Sequence, residues 1–297
     1  ENMSIKKGIY AASMTIINED LSIDVDLTIK HSEKLIQNGC HGCVLFGSTG
    51  QAQLISSNEK KKLIEKLTDS KFKDEFILGT GLNSLNENIA LIKFAIKNGI
   101  NKFLLGVPAY YKFGDEGCYE YFSNLIQRVP EVQFLVYNFE KLFNYKFSIA
   151  VIEKLVKNYP KNCLGLKDSS YNLFDKIKID KDFLIFPGSE TKLLPGLEFN
   201  NSGIISAICN VTAPLARKVY DDFHNKKEQS FNERLCAIRK IFDKNDLISG
   251  LHTFMSFENK KFKKVLPPLS LLSKEEEKKM MDELKALNFY PEKGMAA

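Results

Sequence analysis

The sequence of 297 residues is 44% hydrophobic and 27% charged, a composition typical of a globular protein large enough to bury a full core. The net charge of +5 comes from 42 basic and 37 acidic side chains, and since the lysines are scattered beside glutamates they indicate a solvated surface, with no nucleic-acid partner. No apolar run reaches the roughly 20 residues of a membrane span, and the N-terminus lacks the apolar core of a signal peptide, so we expect a cytoplasmic protein without membrane contact.

The six cysteines do not form a disulfide scaffold in a chain of this length, and most of them lie within apolar runs. Cys40 and Cys43 have the spacing of a redox pair or of half a zinc site, but no second pair with ligand spacing follows in the sequence. We therefore expect reduced, buried thiols and predict no metal site.

Eight short apolar runs alternate with segments of helical periodicity. The runs cover residues 5–14, 42–46, 76–79, 102–107, 132–137, 163–167, 183–187 and 203–209. Continuous apolar character is typical of parallel strands that are buried on both faces. Eight β-α units over roughly 220 residues fit a closed barrel better than an open doubly wound sheet. We therefore predict an α/β protein, a (β/α)8 TIM barrel over residues 1–225, followed by additional C-terminal helices.

The C-terminal extension, residues 226–297, has helical patterning throughout. We expect helices at 231–242, 247–257 and 274–287, with Pro267 and Pro268 between the last two. Because each segment is too short to form a core alone, the extension is predicted to pack on the barrel.

Short polar segments follow six of the predicted strands, at 47–50, 79–81, 108–111, 137–138, 167–170 and 188–190. In a β/α barrel the carboxyl ends of all strands lie on one face, where active sites are built. Residues that are distant in the sequence are therefore predicted to converge around a single mouth.

The segment Gly47-Ser48-Thr49-Gly50 offers two hydroxyls and a run of backbone N–H groups, which suits a small carboxylate. The alternative is an ordinary tight turn. The segment is not a phosphate-binding loop, because no lysine follows at the required position. The segment from Gly79 to Gly81 is not a dinucleotide fingerprint either, since Ser84 stands where the third glycine would fall.

Lys167 directly follows the apolar run at 163–166, where a buried strand would reach the mouth of the barrel. Partial desolvation disfavours the charged form of an amine and makes it a nucleophile, so Lys167 is a candidate to form an imine with a keto acid. A lysine that caps the strand and points into water is the alternative. Tyr137 ends the preceding strand, roughly 5 Å away across a strand spacing. Its phenol is either a proton relay or the wet end of a core tyrosine.

Four motifs together resemble the dihydrodipicolinate synthase and N-acetylneuraminate lyase family of class I pyruvate-dependent aldolases. They are Gly47-Ser-Thr-Gly50, Tyr137-Asn138, Gly165-Leu-Lys167-Asp168 and Gly203-Ile-Ile-Ser206, in this order and at these intervals. The resemblance covers residues 5 to 225, and the helical extension also fits. It implies a (β/α)8 barrel that is usually a homotetramer.

The resemblance also implies roles for individual residues. Lys167 would form a Schiff base with pyruvate, and Tyr137 would relay protons. Ser48 and Thr49 would bind the pyruvate carboxylate through their hydroxyls. Tyr111 matches a tyrosine that, in the synthase branch, a neighbouring subunit contributes to the proton relay.

Departures from the family pattern concern the second substrate. Glu140 replaces the proline usually found after Tyr-Asn, and Leu142 replaces the arginine with which true synthases hold a second carboxylate. Gln51 stands where the family often has glutamate, and the segment 188–191 differs from the sialic acid lyase pattern. Both end members of the family therefore fit poorly.

We predict a Schiff-base-forming lyase or aldolase that makes or breaks a C–C bond of a 2-keto-3-deoxy sugar acid or related keto acid, with pyruvate and an aldehyde or keto acid as partners. Gly188, Glu190 and Ser206 are predicted to recognise the longer substrate. No metal or organic cofactor is needed, because the imine is itself the electron sink. The alternatives are a synthase that condenses pyruvate with aspartate semialdehyde, and a non-catalytic keto-acid-binding barrel.

Overall fold

The computed structural model describes residues 5–291 and contains one eight-stranded parallel sheet within them. The strands are β1 (Gly8–Ala12), β2 (Gly42–Leu45), β3 (Phe76–Leu78), β4 (Lys102–Leu105), β5 (Gln133–Asn138), β6 (Cys163–Asp168), β7 (Leu184–Pro187) and β8 (Gly203–Ser206). Each strand from β1 to β6 pairs with the next one in the sequence, and β8 returns to pair with β1. The N–H of Ser202 donates to the carbonyl of Ile185 at 2.8 Å, so β7 meets the start of β8 and the barrel is nearly closed.

Helices connect the strands and cover the outside of the barrel. They are α1 (Val25–Gln37), α2 (Ser57–Leu67), α3 (Leu85–Lys97), α4 (Asp115–Arg128), α5 (Glu140–Phe143), α6 (Ile149–Asn158), α7 (Leu193–Glu198) and α8 (Cys209–His224). Four of them begin at a residue whose side chain accepts a backbone N–H of the first turn, which fixes where the helix starts. These N-cap residues are Asp24, Ser56, Ser84 and Ser148.

Three further helices form the C-terminal extension: α9 (Asn232–Asp243), α10 (Leu247–Ser256) and α11 (Lys274–Ala286). Helix α9 packs on α8 and on the segment after β7, and α10 and α11 pack on α9. The predicted boundary at residue 225 falls just after the end of α8. Residues 1–4 of the predicted barrel domain and 292–297 of the predicted extension lie outside the described residues.

Side chains alternate along the strands between two buried layers. One layer fills the barrel interior and includes Tyr10, Val44, Leu135, Phe186 and Ile205. The other lies between the strands and the surrounding helices. The (β/α)8 barrel predicted from the sequence is confirmed, and all eight strands lie within or close to their predicted runs.

The first strand is shorter than predicted, because β1 ends at Ala12 although the apolar run continues to Met14. The Asn210 side chain donates to the carbonyl of Ala12 at 2.7 Å and accepts the N–H of Met14 at 3.2 Å. A side chain from α8 thus replaces strand pairing at this point, and Met14 remains buried outside the sheet.

Five of the cysteines are buried and Cys236 is partly buried, all with free thiols. Burial raises the pKa of Cys40 and Cys163 to about 12 in each case, so both thiols are protonated and inert at neutral pH. Between residues 5 and 291, every helix is too short or too polar to cross a lipid bilayer.

Candidate active site

Lys167 and Tyr137 lie directly opposite one another in β6 and β5. The two side chains point into the barrel, because each alternates with a residue that faces the outer helices, Leu166 and Val136. The Nζ atom of Lys167 lies 3.3 Å from the phenol oxygen of Tyr137. Both residues are only 5% exposed, so the amine is largely removed from solvent and has a hydroxyl within reach.

Asp168, the next residue of β6, holds the loop that follows Lys167. Its two carboxylate oxygens accept four backbone N–H groups of that loop at 2.9 to 3.1 Å, from Ser170, Tyr171, Leu173 and Phe174. Asp168 is fully buried and also accepts the side-chain amide of Asn138 at 2.9 Å. A carboxylate with this many donors fixes the end of β6, and therefore the direction of the Lys167 side chain. Sequence reasoning missed this role, although an aspartate directly before Ser-Ser is a turn signal.

The segment 47–50 forms a tight turn after β2, and some of its hydrogen-bond donors have no partner within the turn. The N–H groups of Gly50 and Gln51 are used within the turn, bonding to the carbonyls of Gly47 and Ser48. Within the described part of the chain, the hydroxyls and backbone N–H groups of Ser48 and Thr49 have no hydrogen-bond partner. The turn can therefore donate several hydrogen bonds to one small carboxylate.

A cavity of about 310 Å³ brings most of the predicted residues together at the carboxyl ends of the strands. Its lining includes Ser48, Thr49, Tyr137, Lys167 and Gly188. A second cavity of about 390 Å³ adjoins it, shares Ser48 and Tyr137, and includes Gly47. The two together leave room for a molecule longer than a three-carbon keto acid.

Gly188 occupies the end of β7 beside the loop that follows β6. A Cβ atom at this position would lie 2.3 Å from the Oγ atom of Ser169, so any larger residue requires the serine hydroxyl to move. Leu142 also lines both cavities and places an apolar side chain there.

The C-terminal extension supplies part of the cavity lining, which the sequence did not indicate. Arg239 from α9 lines the cavity, together with Asn245, Asp246, Leu247 and Ile248 at the start of α10. No local motif marks Arg239, because an arginine within an amphipathic helix normally lies on the surface. Only the packing of α9 against the barrel brings it to the mouth.

Glu190 and Ser206 lie behind the cavity and are not among its lining residues. Both are fully buried, and Ser206 donates to a Glu190 carboxylate oxygen at 2.6 Å. The Arg239 Nη1 atom donates to the same oxygen at 2.8 Å. The two predicted substrate-binding side chains are thus engaged with Arg239, and any influence on a substrate would pass through this guanidinium.

Burial lowers the pKa of the Arg239 guanidinium, but the carboxylates of Glu190 and Asp243 more than offset this and raise it above its ordinary value. Arg239 therefore stays charged in its buried position. Nearby, burial raises the pKa of the cavity-lining Tyr171 to about 12, so its phenol is protonated and available as a hydrogen-bond donor.

Tyr111 lies away from Lys167 within the described chain and lines neither cavity. Tyr110 and Tyr111 are 84% and 76% exposed, and their rings meet edge to face with centroids 5.2 Å apart. The backbone of Tyr110 has a φ of +90°, an unfavourable value for a bulky residue. Two exposed tyrosines on a strained loop are typical of a surface that contacts another protein.

Comparison with known proteins places this site in a family. The model of the Dihydrodipicolinate synthetase family matches residues 6–287. The chain is 29% identical over 276 residues to the 4-hydroxy-tetrahydrodipicolinate synthase of Thermus thermophilus. The matched region covers 89% of this chain and 91% of that protein. It is 31% identical over 259 residues to the synthase of Pelagibacter ubique, covering 85% of this chain and 84% of that one.

An uncharacterized DapA-like lyase of Chloroflexus aurantiacus is 28% identical over 84% of each chain. Among solved structures, the fold matches dihydrodipicolinate synthase from Agrobacterium tumefaciens with a TM-score of 0.86 and 23% identity, covering 95% of this chain and 99% of that one. It also matches YagE of Escherichia coli K12, a structure in complex with pyruvate, with a TM-score of 0.85 and 19% identity over 96% and 100% of the two chains. The chain belongs to the dihydrodipicolinate synthetase family and is an enzyme of the class I aldolase type.

Proposed function

We propose that this enzyme is a pyruvate-dependent lyase that cleaves or forms the C3–C4 bond of a 2-keto-3-deoxy sugar acid through a Schiff base on Lys167. The observation that carries the proposal is the 3.3 Å separation between the Lys167 amine and the Tyr137 phenol. This pair lies in the same cavity as the unused donors of Ser48 and Thr49. An amine, a proton relay and a carboxylate site are the groups that imine chemistry on a 2-keto acid requires.

In the first step the substrate carboxylate binds the hydroxyls and N–H groups of Ser48 and Thr49, which places C2 beside Lys167. The neutral amine attacks the C2 carbonyl, and the carbonyl oxygen takes up a proton to give a carbinolamine. The Tyr137 phenol donates to this oxygen, which leaves as water. The product is a protonated imine joined to Lys167.

In the second step the C4 hydroxyl loses its proton and the C3–C4 bond breaks, with its electron pair moving toward the iminium nitrogen. An aldehyde leaves, and the enamine that remains takes up a proton at C3. Water then hydrolyses the imine of pyruvate and frees Lys167. The same steps in reverse join pyruvate to an aldehyde. The electron pair of the broken bond is held in the enamine and then forms the new C3–H bond, so the cycle consumes no oxidant or reductant.

Borohydride trapping tests the proposal directly. Reduction in the presence of pyruvate is expected to add the mass of a reduced pyruvate imine to the protein, and peptide mapping is expected to place it on Lys167. The variant Lys167→Ala is expected to give no adduct. A matched control is Lys102→Ala, which removes another buried strand lysine, one whose amine donates to the Asp74 carbonyl at 2.7 Å. An adduct that persists in Lys167→Ala would contradict the proposal.

A second candidate is condensation of pyruvate with aspartate semialdehyde, which is favoured by the names of the Thermus thermophilus and Pelagibacter ubique relatives. Leu142 argues against it, because a leucine cannot pair with the second carboxylate. A coupled assay with the downstream reductase distinguishes the two. Turnover of aspartate semialdehyde that exceeds pyruvate release from 2-keto-3-deoxy acids would favour the synthase.

The proposed enzyme acts as a homo-oligomer, a tetramer by the family resemblance. The exposed pair Tyr110 and Tyr111 supports this part of the proposal, since burial at a subunit interface would remove two large aromatic surfaces from water. In such an assembly Tyr111 of a neighbouring subunit would extend the proton relay from Tyr137. Sedimentation velocity measures the oligomeric state.

A further inference from the structure

The lining of the 310 Å³ cavity contains two cationic side chains, Lys167 and Arg239. Arg239 is 5% exposed and held from several sides. Its Nη1 atom donates to Glu190 at 2.8 Å, to Ser206 at 3.0 Å and to the Gly188 carbonyl at 3.2 Å. Its Nε atom donates to Asp243 at 2.8 Å. Such a set of contacts holds the guanidinium in one position and one orientation.

The hydrogen bonds of Arg239 to residues 5–291 use only Nε and Nη1. The two N–H groups on Nη2 are left without a partner in this range, and because Arg239 lines the cavity and Nη2 is not fully buried, these donors are open to the cavity. The neighbouring lining residues Ser169, Tyr171 and Asn245 add hydroxyl and amide groups. Groups of this kind recognise the hydroxyls of a sugar chain.

The charge of Arg239 is already balanced. Glu190 is fully buried and forms an ion pair with it at 2.8 Å, and Asp243 forms a second, partly exposed pair. A further carboxylate, Asp246, lines the same cavity. A second carboxylate on the substrate would meet these negative groups, and the position of Leu142 offers it no cation. A desolvated anion without a partner is strongly disfavoured.

We propose that Arg239 is the specificity-determining residue for the part of the substrate beyond C4, and that its ion pair with Glu190 selects a neutral, hydroxylated tail over a tail that carries a carboxylate. This rests on the proposed function, because it concerns the half of the substrate that is not pyruvate. Glu190 and Ser206 are positioning residues: both hold the guanidinium, and Glu190 also balances its charge, so that Nη2 acts as a hydrogen-bond donor and not as an anion-binding site.

The test compares two substrates that both release pyruvate. One is 2-keto-3-deoxygluconate, with a hydroxylated tail, and the other is 4-hydroxy-2-oxoglutarate, with a terminal carboxylate. The wild-type enzyme is expected to favour the first in kcat/KM by at least about tenfold. In Glu190→Gln the guanidinium loses its main counter-charge, and the ratio is expected to shift by about tenfold or more toward the dicarboxylate. An unchanged ratio in a folded Glu190→Gln enzyme would overturn the inference.

Glu190 is fully buried, so its substitution can disturb folding. A second variant therefore tests the same inference at a more exposed residue. Asp243→Asn removes the carboxylate whose side chain is 44% exposed, and it is expected to shift the ratio in the same direction by about two- to fivefold. Arg239→Lys is expected to raise KM for the hydroxylated substrate by about tenfold while kcat changes less, because a lysine cannot hold the same bonds in a fixed plane.

Arg217→Lys provides the matched control. Arg217 also pairs with an aspartate four residues later, Asp221 at 3.0 Å, but lies away from the cavity. It is expected to leave the substrate ratio unchanged. A wild-type enzyme that prefers the dicarboxylate, while still forming the pyruvate adduct on Lys167, would refute the inference alone. A wild-type enzyme that forms no adduct would refute the proposed function instead.

Discussion

Lys167 and Tyr137 face each other across two hydrogen-bonded parallel strands, with 3.3 Å between the amine nitrogen and the phenol oxygen. The Nζ atom also lies 4.5 Å from the centre of the tyrosine ring. The ring in turn packs against Phe139 and Phe143, which limits its movement. The pair is therefore held in a geometry suited to proton transfer before any substrate arrives.

Removing the Tyr137 hydroxyl should slow the reaction without abolishing imine formation. In Tyr137→Phe we expect kcat to fall by about 100-fold, because general acid–base groups contribute on this scale. Stopped assays of pyruvate release from 2-keto-3-deoxygluconate measure the effect.

Tyr10→Phe is the matched control for Tyr137→Phe, since Tyr10 belongs to the same interior layer but its hydroxyl donates to the Lys6 carbonyl at 2.6 Å. It should lower the free energy of unfolding by about 1 kcal/mol and leave kcat close to that of the wild type. A kcat within twofold of the wild type in Tyr137→Phe would rule out the relay.

The turn after β2 should control affinity for the keto acid. In Thr49→Val, which keeps the shape of the side chain, we expect the pyruvate concentration for half-maximal trapping to rise by about tenfold, as a hydrogen bond to a charged group is worth roughly 1.5–3 kcal/mol. Ser48→Ala should act in the same direction.

Thr68→Val serves as the comparison for Thr49→Val, because the Thr68 hydroxyl donates to the Glu65 carbonyl at the end of α2, far from the cavity. If Thr49→Val and Thr68→Val need the same pyruvate concentration for half-maximal trapping, the turn after β2 has no role in carboxylate binding.

Tyr111 should act on the site of a neighbouring subunit. If so, the variants Lys167→Ala and Tyr111→Phe are each impaired on their own. When the two variants exchange subunits, a hybrid pair has one complete site, with Lys167 from one subunit and Tyr111 from the other. Random mixing at equal amounts should restore about a quarter of wild-type activity. Activity is measured after dilution and reassociation of the mixed variants. If the mixture stays at the average of the two variants, Tyr111 does not serve a neighbouring site.

Two buried histidines should make stability depend on pH. Burial lowers the pKa of His31 and of His252 to about 4, while in the unfolded chain histidine titrates near 6.5. Between these values the unfolded state binds more protons, so the free energy of unfolding rises with pH through this window and the full contribution is present above pH 6.5. Each histidine is expected to contribute about 3 kcal/mol, lost as the pH falls toward 4.

Guanidinium titrations at pH 7.5, 6.0 and 4.5 measure this dependence. His252→Gln should reduce the slope but not abolish it, because glutamine does not titrate in the window whereas His31 and His41, whose pKa values burial also lowers to about 4, still do. His224→Gln, at an exposed position, should leave the slope as in the wild type. A slope that is the same in all three proteins would show that His252 does not contribute to the pH dependence.

The sequence determined the barrel and the position of Lys167, because both depend on local patterns. Eight apolar runs with helical segments between them specify parallel strands, since a strand buried on both faces must be apolar throughout. A lysine that ends the sixth run must then emerge at the carboxyl face, next to Tyr137 on the fifth. Ser48 and Thr49 follow from the same rule.

Only the tertiary structure decided what surrounds these residues. Arg239 stands in an amphipathic helix and carries no local sign of a binding role, yet the docking of α9 places it in the cavity with Lys167. The same docking turns Glu190 from a predicted substrate ligand into the buried partner of Arg239. Strand periodicity states which face a side chain points to, but an ion pair between residues 49 positions apart depends on how helices pack on the barrel, which no local pattern encodes.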